Sequence, residues 1–201
     1  VSLSADSIEA TSFNGFIGNG LAGTLTGHAL VTGDIDNVSV ERRITSPEII
    51  YNGSRLNSIN AGFTIKDHVL DLQDASIGDG DGAFTVNGTL NLKSKALSMR
   101  ARAKAVRIEN LIRPFSNIPI TGWFESENDI HGTLDNPYIQ GHSRLYDGSY
   151  NGKLISDANF DYTLKDKVLT LSNFTVQGYG AIIRGSGTAS ESVLDINLDG
   201  K

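Results

Sequence analysis

The chain has 201 residues, 39% of them hydrophobic, with 22 glycines and no cysteine. Its 17 basic and 23 acidic residues give a formal charge of −6, which argues against nucleic acid as a partner, because phosphate-binding surfaces carry a basic surplus. The missing cysteine excludes disulfides and thiolate chemistry, and no run approaches the ~18 consecutive apolar residues of a membrane helix.

Taken in chain order, the pattern is that of strands. The chain opens at Val1 in strand-like sequence, with neither a basic segment nor an apolar one of the kind that starts a signal peptide. It reads as a piece of a longer protein. Ser7 to Phe16 has weak helical spacing, which Gly15 undermines. Apolar residues then alternate with polar ones. Phe63 and Ile65 share a face, as do Leu70 and Leu72, Phe84 and Val86, Leu90 and Leu92, and Leu97 and Met99. Val106, Ile108, Leu111, Ile112 and Phe115 approximate helical spacing, and Pro114 stops the run, so a short helix is predicted over Val106 to Arg113. Strand spacing resumes at Ile118. It returns in Phe160, Tyr162 and Leu164, in Leu169 and Leu171, in Phe174 and Val176, and in Leu194, Ile196 and Leu198. Asn52-Gly53, Asn87-Gly88, Asp147-Gly148 and Asn151-Gly152 supply the positive φ of tight hairpins. Lys66-Asp67 and Lys165-Asp166 also fit two-residue loops.

The chain is built twice. Shifted by 99 positions, Ala22 to Thr89 overlies Thr121 to Thr188 without a gap. Gly23 falls on Gly122, Tyr51-Asn52-Gly53 on Tyr150-Asn151-Gly152, and Val69-Leu70-Asp71-Leu72 on Val168-Leu169-Thr170-Leu171. One copy is predicted over 1–105 and a second over 106–201, with the helix at the junction. A duplicated unit points to architecture and to a surface repeated along an axis. A catalytic centre is usually one asymmetric constellation, so a non-enzyme is expected.

The isolated motifs carry little chemistry. Gly78-Asp79-Gly80-Asp81-Gly82 resembles a calcium loop, but counting from Asp79 puts Leu90 where a glutamate is needed. His28, His68, His131 and His142 lack metal-site spacing, and the copies replace His28 by Glu127 and His68 by Lys167. No metal or cofactor is expected. Gly185-Ser186-Gly187 lies on a strand and opens no helix, so it is neither a phosphate loop nor a nucleophile elbow. Trp123 and Tyr150 read as packing residues. The acidic residues leave room for a carboxylate pair of glycosidase type, the main rival class.

His131-Gly132-Thr133-Leu134-Asp135-Asn136-Pro137-Tyr138-Ile139-Gln140-Gly141 precedes Leu145-Tyr146-Asp147-Gly148-Ser149-Tyr150, and Gly185-Ser186-Gly187-Thr188 follows the strands. This ordered set resembles the C-terminal β-rich region of the TamB family, the inner-membrane component of the translocation and assembly module, within the AsmA-like superfamily. The similarity is best from about residue 97 to 201. The first copy departs from it, with Val38 for Pro137 and Arg42 for Gly141. The resemblance implies an all-β fold: a curled, elongated repeat sheet, or β-taco, with an apolar concave face. It further implies the periplasmic portion of a cell-envelope protein anchored in the inner membrane. Its implied partners are phospholipid acyl chains, the outer-membrane protein TamA, and outer-membrane β-barrel proteins as clients.

A sheet with one apolar face must bury it on a second sheet, in a closed barrel or around a ligand. With the resemblance, the expected function is a non-enzymatic lipid-transfer conduit. The alternatives are a chaperone-like scaffold acting by strand addition and a structural or adhesive repeat with a closed core. The expected groove lining is Phe63, Ile65, Leu70, Leu72, Phe84, Val86, Leu90, Leu92, Leu97 and Met99 in the first copy. In the second it is Phe160, Tyr162, Leu164, Leu169, Leu171, Phe174, Val176, Ile196 and Leu198.

Overall fold

A computed structural model describes residues 2–13, 20–32, 39–79, 82–113 and 116–200. The described residues form one antiparallel sheet of 13 strands, ordered as in the chain. The strands are β1 (Ser2–Glu9), β2 (Leu21–Thr32), β3 (Ser39–Tyr51), β4 (Ser54–Lys66), β5 (Val69–Asp79), β6 (Gly82–Asn91) and β7 (Ala96–Arg107). They continue as β8 (Ile120–Thr133), β9 (Pro137–Tyr150), β10 (Lys153–Lys165), β11 (Val168–Gly178), β12 (Ala181–Ala189) and β13 (Leu194–Gly200). The strand starts of β4 and β10, and of β5 and β11, differ by the same 99 positions as the sequence copies. The junction is no break, because β7 pairs with β8 through Met99↔Ile130 and Ala101↔Asn128.

The hairpins follow their turn chemistry. Asn52-Gly53 (φ 47° and 79°) and Asn151-Gly152 (φ 50° and 73°) make the predicted turns. Three expectations need correction. The loops after β4 and β10 are Asp67-His68 and Asp166-Lys167, with Lys66 and Lys165 still in strand. Asn87-Gly88 lies inside β6, and Asp147-Gly148 lies inside β9. There the conformational freedom is spent on irregularities rather than turns. Asp147 takes φ 47° in mid-strand, as do Ser58 (50°), Asp74 (51°) and Ala105 (48°) in theirs. Register shifts accompany them, between Leu72 and Ala75 and between Ala103 and Val106 for instance. Each bulge increases the local twist. At one of them the freed backbone N–H of Asp74 donates to Asn87 Oδ1 at 2.6 Å.

The helix α1 is shorter than predicted, Ile108–Ile112. Val106 belongs to β7, pairs with Phe124 and is 1% exposed. A β-branched side chain there gains more from the sheet than from a helical turn. The weak helical spacing over Ser7 to Phe16 yields a single 3-10 turn, Ala10–Phe13; Ser7 to Glu9 belong to β1, and residues 14–16 lie outside the described ones.

The helix reveals the curvature. Ile108 clusters with Leu145 of β9 and Ala158 of β10, while α1 also touches β4. In a flat sheet β4 and β9 would stand about 24 Å apart, at ~4.8 Å per strand. A five-residue helix is only about 10–12 Å across with its side chains. The sheet therefore bends toward the side that carries α1. No helix among the described residues is long and apolar enough to cross a membrane.

Candidate functional site

Residues directly opposite in adjacent strands share a face, so the register assigns every expected lining residue. Phe63, Ile65, Leu70 and Leu72 are matched across β4 and β5, and Leu70 then faces Leu90 and Leu72 faces Gly88. Phe84, Val86, Leu90, Leu97 and Met99 follow through β6 and β7. From Met99 the ladder runs to Ile130 and Ile139, then Leu164, Leu169 and Ala189. The rows beside it carry Tyr162 with Leu171, Phe160 with Phe174, and Val176. Ile196 and Leu198 close the series on β13, opposite Gly187 and Gly185. All of these lie on the side that carries α1, the concave side. Leu92 is the exception. It follows the last residue of β6, is 49% exposed, and donates its backbone N–H to the His68 carbonyl at 2.7 Å.

Most of this face is half-buried. That is what lateral packing within one layer produces when no second sheet lies opposite. The accessible surface agrees: 12366 Å² is roughly a third above the ~9,200 Å² of a compact monomer of this mass. Two buried clusters form where a helical segment covers the sheet, and Leu97, Ala101, Ala103, Val106 and Phe174 are buried outside them. Ala10 of the 3-10 turn sits on Leu21, Leu25 and Ile49. Ile108 of α1 sits on Leu145 and Ala158, flanked by Ile120, Phe124 and Ile155. The 99-residue shift superposes Leu21 on Ile120 and Leu56 on Ile155, so both plugs lie at the same end of the strands. Beyond them the apolar face continues as an open-sided groove. Leu97 in the first copy and Phe174 in the second are the buried members of the expected lining, each 8% exposed, and the Phe174 ring lies over Gly185, where a Cβ would be 2.7 Å from Cζ.

Sequence reasoning missed a polar group on this same face. Alternation alone assigns Ser126, Asn128 and Ser143 to neither face. The register aligns Ala103 with Ser126 and Ser143, and Ala101 with Asn128, Gly141 and Tyr162. The internal copy held the signal, because their equivalents are Gly27, Ala29 and Ile44.

The opposite face is polar and internally paired. Arg100 meets Asp129 at 2.8 Å, and Arg102 meets Glu127 at 3.4 Å. Arg144 bonds Asp157 through Nε and Nη2. Trp123, read as a packing residue, lies on this side with the Arg107 guanidinium 4.9 Å from its ring centre. Tyr150 is 48% exposed. A shallow depression here is lined by charged residues such as Arg100, Glu127, Asp129 and Asp161, and Asn128, Gly141 and Tyr162 also border it. Its charges neutralise one another across strands, which fixes register more than it offers a binding charge. Among the described residues no group of His, Asp and Glu could hold a metal ion. The acidic turn at Gly78 to Gly82 lies partly outside the described residues.

His142 Nδ1 stands 2.7 Å from Asp161 Oδ1. That hydrogen bond, and one from Asn173 Nδ2 at 3.3 Å, hold the Asp161 carboxyl below its ordinary range. A lowered native pKa contributes stability that is present above the ordinary aspartate value of about 3.9 and is lost as pH falls through the native value. Asp161→Asn should therefore lower the thermal midpoint slightly near pH 5, with the deficit closing as the pH falls below the ordinary aspartate range and the native carboxylate is protonated. A deficit unchanged at pH 2 would show that the carboxylate charge is not its source.

No family model matches the chain, and no curated protein or solved structure is significantly similar to it.

Proposed function

We propose that the chain is a segment of a lipid-transfer conduit, with phospholipid acyl chains sheltered against the concave apolar face. The observation that carries this reading is that face itself, which extends over both copies with one polar group at Ser126, Asn128, Ser143 and Tyr162, and which two short helical plugs cover among the described residues. An exposed apolar surface beyond a few hundred Å² serves a ligand, a membrane or a partner. Acyl chains fit it because they are long, repetitive and without hydrogen-bonding demands. Such a lining needs only repeated aliphatic and aromatic side chains, with no catalytic residue. The resemblance supports placing this segment in the periplasm, as part of an inner-membrane-anchored protein that acts with TamA in outer-membrane biogenesis.

The test is photocrosslinking in a bacterial envelope with labelled phospholipid. A photoreactive residue at Leu171, half-buried on the apolar face, is expected to capture lipid. The same residue at Thr170, which pairs with Thr163 and Thr188 on the polar face, is expected to capture little. Capture of lipid at neither position, in folded protein, would overturn the conduit. Capture of an outer-membrane β-protein at Leu171 instead would favour the scaffold reading.

A further inference from the structure

The apolar face is interrupted in the second copy by Ser126, Asn128, Ser143 and Tyr162. Ser126 and Ser143 are 6% and 4% exposed, whereas Asn128 and Tyr162 are half-buried and reach the groove. Gly141 separates the last two, and its lack of a side chain lets the Tyr162 ring cross over it. A Cβ there would lie 2.2 Å from Asn128 Oδ1 and 3.0 Å from Tyr162 Cζ.

The hydrogens can be assigned. Tyr162 Oη–H donates to Asn128 Oδ1, so the Ser143 hydroxyl, 3.0 Å away, donates to Tyr162 Oη. Asn128 Nδ2 donates to Ser126 Oγ at 3.2 Å. The second amide hydrogen of Asn128 and the Ser126 hydroxyl hydrogen remain unspent on these partners. Ser126 is 6% exposed, so the spare amide hydrogen of the half-buried Asn128 is the donor of this set left for a ligand in the groove. The fold does not require it, because the first copy builds the same strands with Gly27, Ala29, Ile44 and Phe63 at the four positions. Polar groups placed on an apolar face are unfavourable unless they are hydrogen-bonded. A spare amide donor beside a lipid chain is matched by an acceptor that brings no donor of its own, and the ester carbonyl is the acceptor next to the acyl chains of a glycerolipid.

We propose that Asn128, with Ser126, Ser143 and Tyr162 behind it, is a station for the ester carbonyl at the neck of a glycerolipid whose chains lie in the groove. The station rests on the conduit reading and adds chemical selectivity to it: the groove alone takes any hydrocarbon, and the station favours an acyl ester over an alkyl ether.

The purified chain would be incubated with vesicles of dioleoylphosphatidylcholine, or of its dialkyl ether analogue, and retained lipid counted after gel filtration. The unmodified protein should retain the ester lipid about five- to tenfold better, the worth of roughly one hydrogen bond. A variant carrying the first-copy residues (Ser126→Gly, Asn128→Ala, Ser143→Ile and Tyr162→Phe) should retain both lipids equally. If that variant does not fold, Asn128→Ala alone should narrow the ratio. Equal retention of both lipids by the unmodified protein would overturn the station and leave the groove standing. Retention of neither would overturn the groove, and the station with it.

Discussion

Leu145→Ala is expected to destabilise the protein by about 2–5 kcal/mol, the range for emptying a well-packed leucine site. Leu145 is 2% exposed and packs in the cluster that α1 covers over β8 to β10. Its removal leaves a hole beneath Ile108, so α1 loses the contact that seats it. A five-residue helix has no stability of its own and should fray once unseated. Two measurements separate the effects. Chemical denaturation gives the loss in stability, and hydrogen exchange should show the largest gain at Glu109 to Ile112. A loss under 1 kcal/mol, with exchange at α1 unchanged, would mean that the helix is held from elsewhere, for example by the hydrogen bond from the Gly122 N–H to Glu109 Oε2 at 3.1 Å.

Gly122→Val should do comparable or greater damage by a different route. Gly122 has φ +136°, which L side chains rarely adopt. A Cβ at this position would lie 2.7 Å from Gly148 Cα and 3.0 Å from Leu145 Cδ1. The first contact is backbone and cannot turn away, and the second pushes out the leucine that seats the helix. The backbone conformation alone costs on the order of 1–3 kcal/mol, and overpacking adds a similar amount. We expect the variant to be poorly soluble, or to unfold at least 15 °C below the unmodified protein. Gly122→Ala should fall between the two. An unchanged midpoint for Gly122→Val would show that β8 and β9 can separate here without loss. The equivalent Gly23 also has φ +118°, so the same irregularity begins both copies.

These two sites show how differently the features could be read. Gly23 and Gly122 were aligned by the repeat, yet their reason is a backbone approach from a neighbouring strand, which no local pattern displays. Leu145 was legible only as an apolar residue, and its importance comes from α1 folding back across β9. Asn87-Gly88 and Asp147-Gly148 misled for a related reason. The dipeptides signal positive φ, and positive φ serves a bulge as well as a turn. Ser126, Asn128 and Ser143 were hidden because polarity suggests solvent, whereas register decides the face.

By itself the sequence determined what depends on neighbours along the chain: an all-β fold, the alternation that makes one face apolar, the Asn-Gly hairpins, and two copies 99 residues apart. The tertiary structure decided what depends on distance across the sheet. It set the direction of the bend, because bulges in separate strands add their twists and α1 spans from β4 to β10. It also brought Asn128 beside Tyr162, 34 positions later. Alternation has a period of two residues and is written in every short segment, whereas curvature is a sum over strands that no single segment contains.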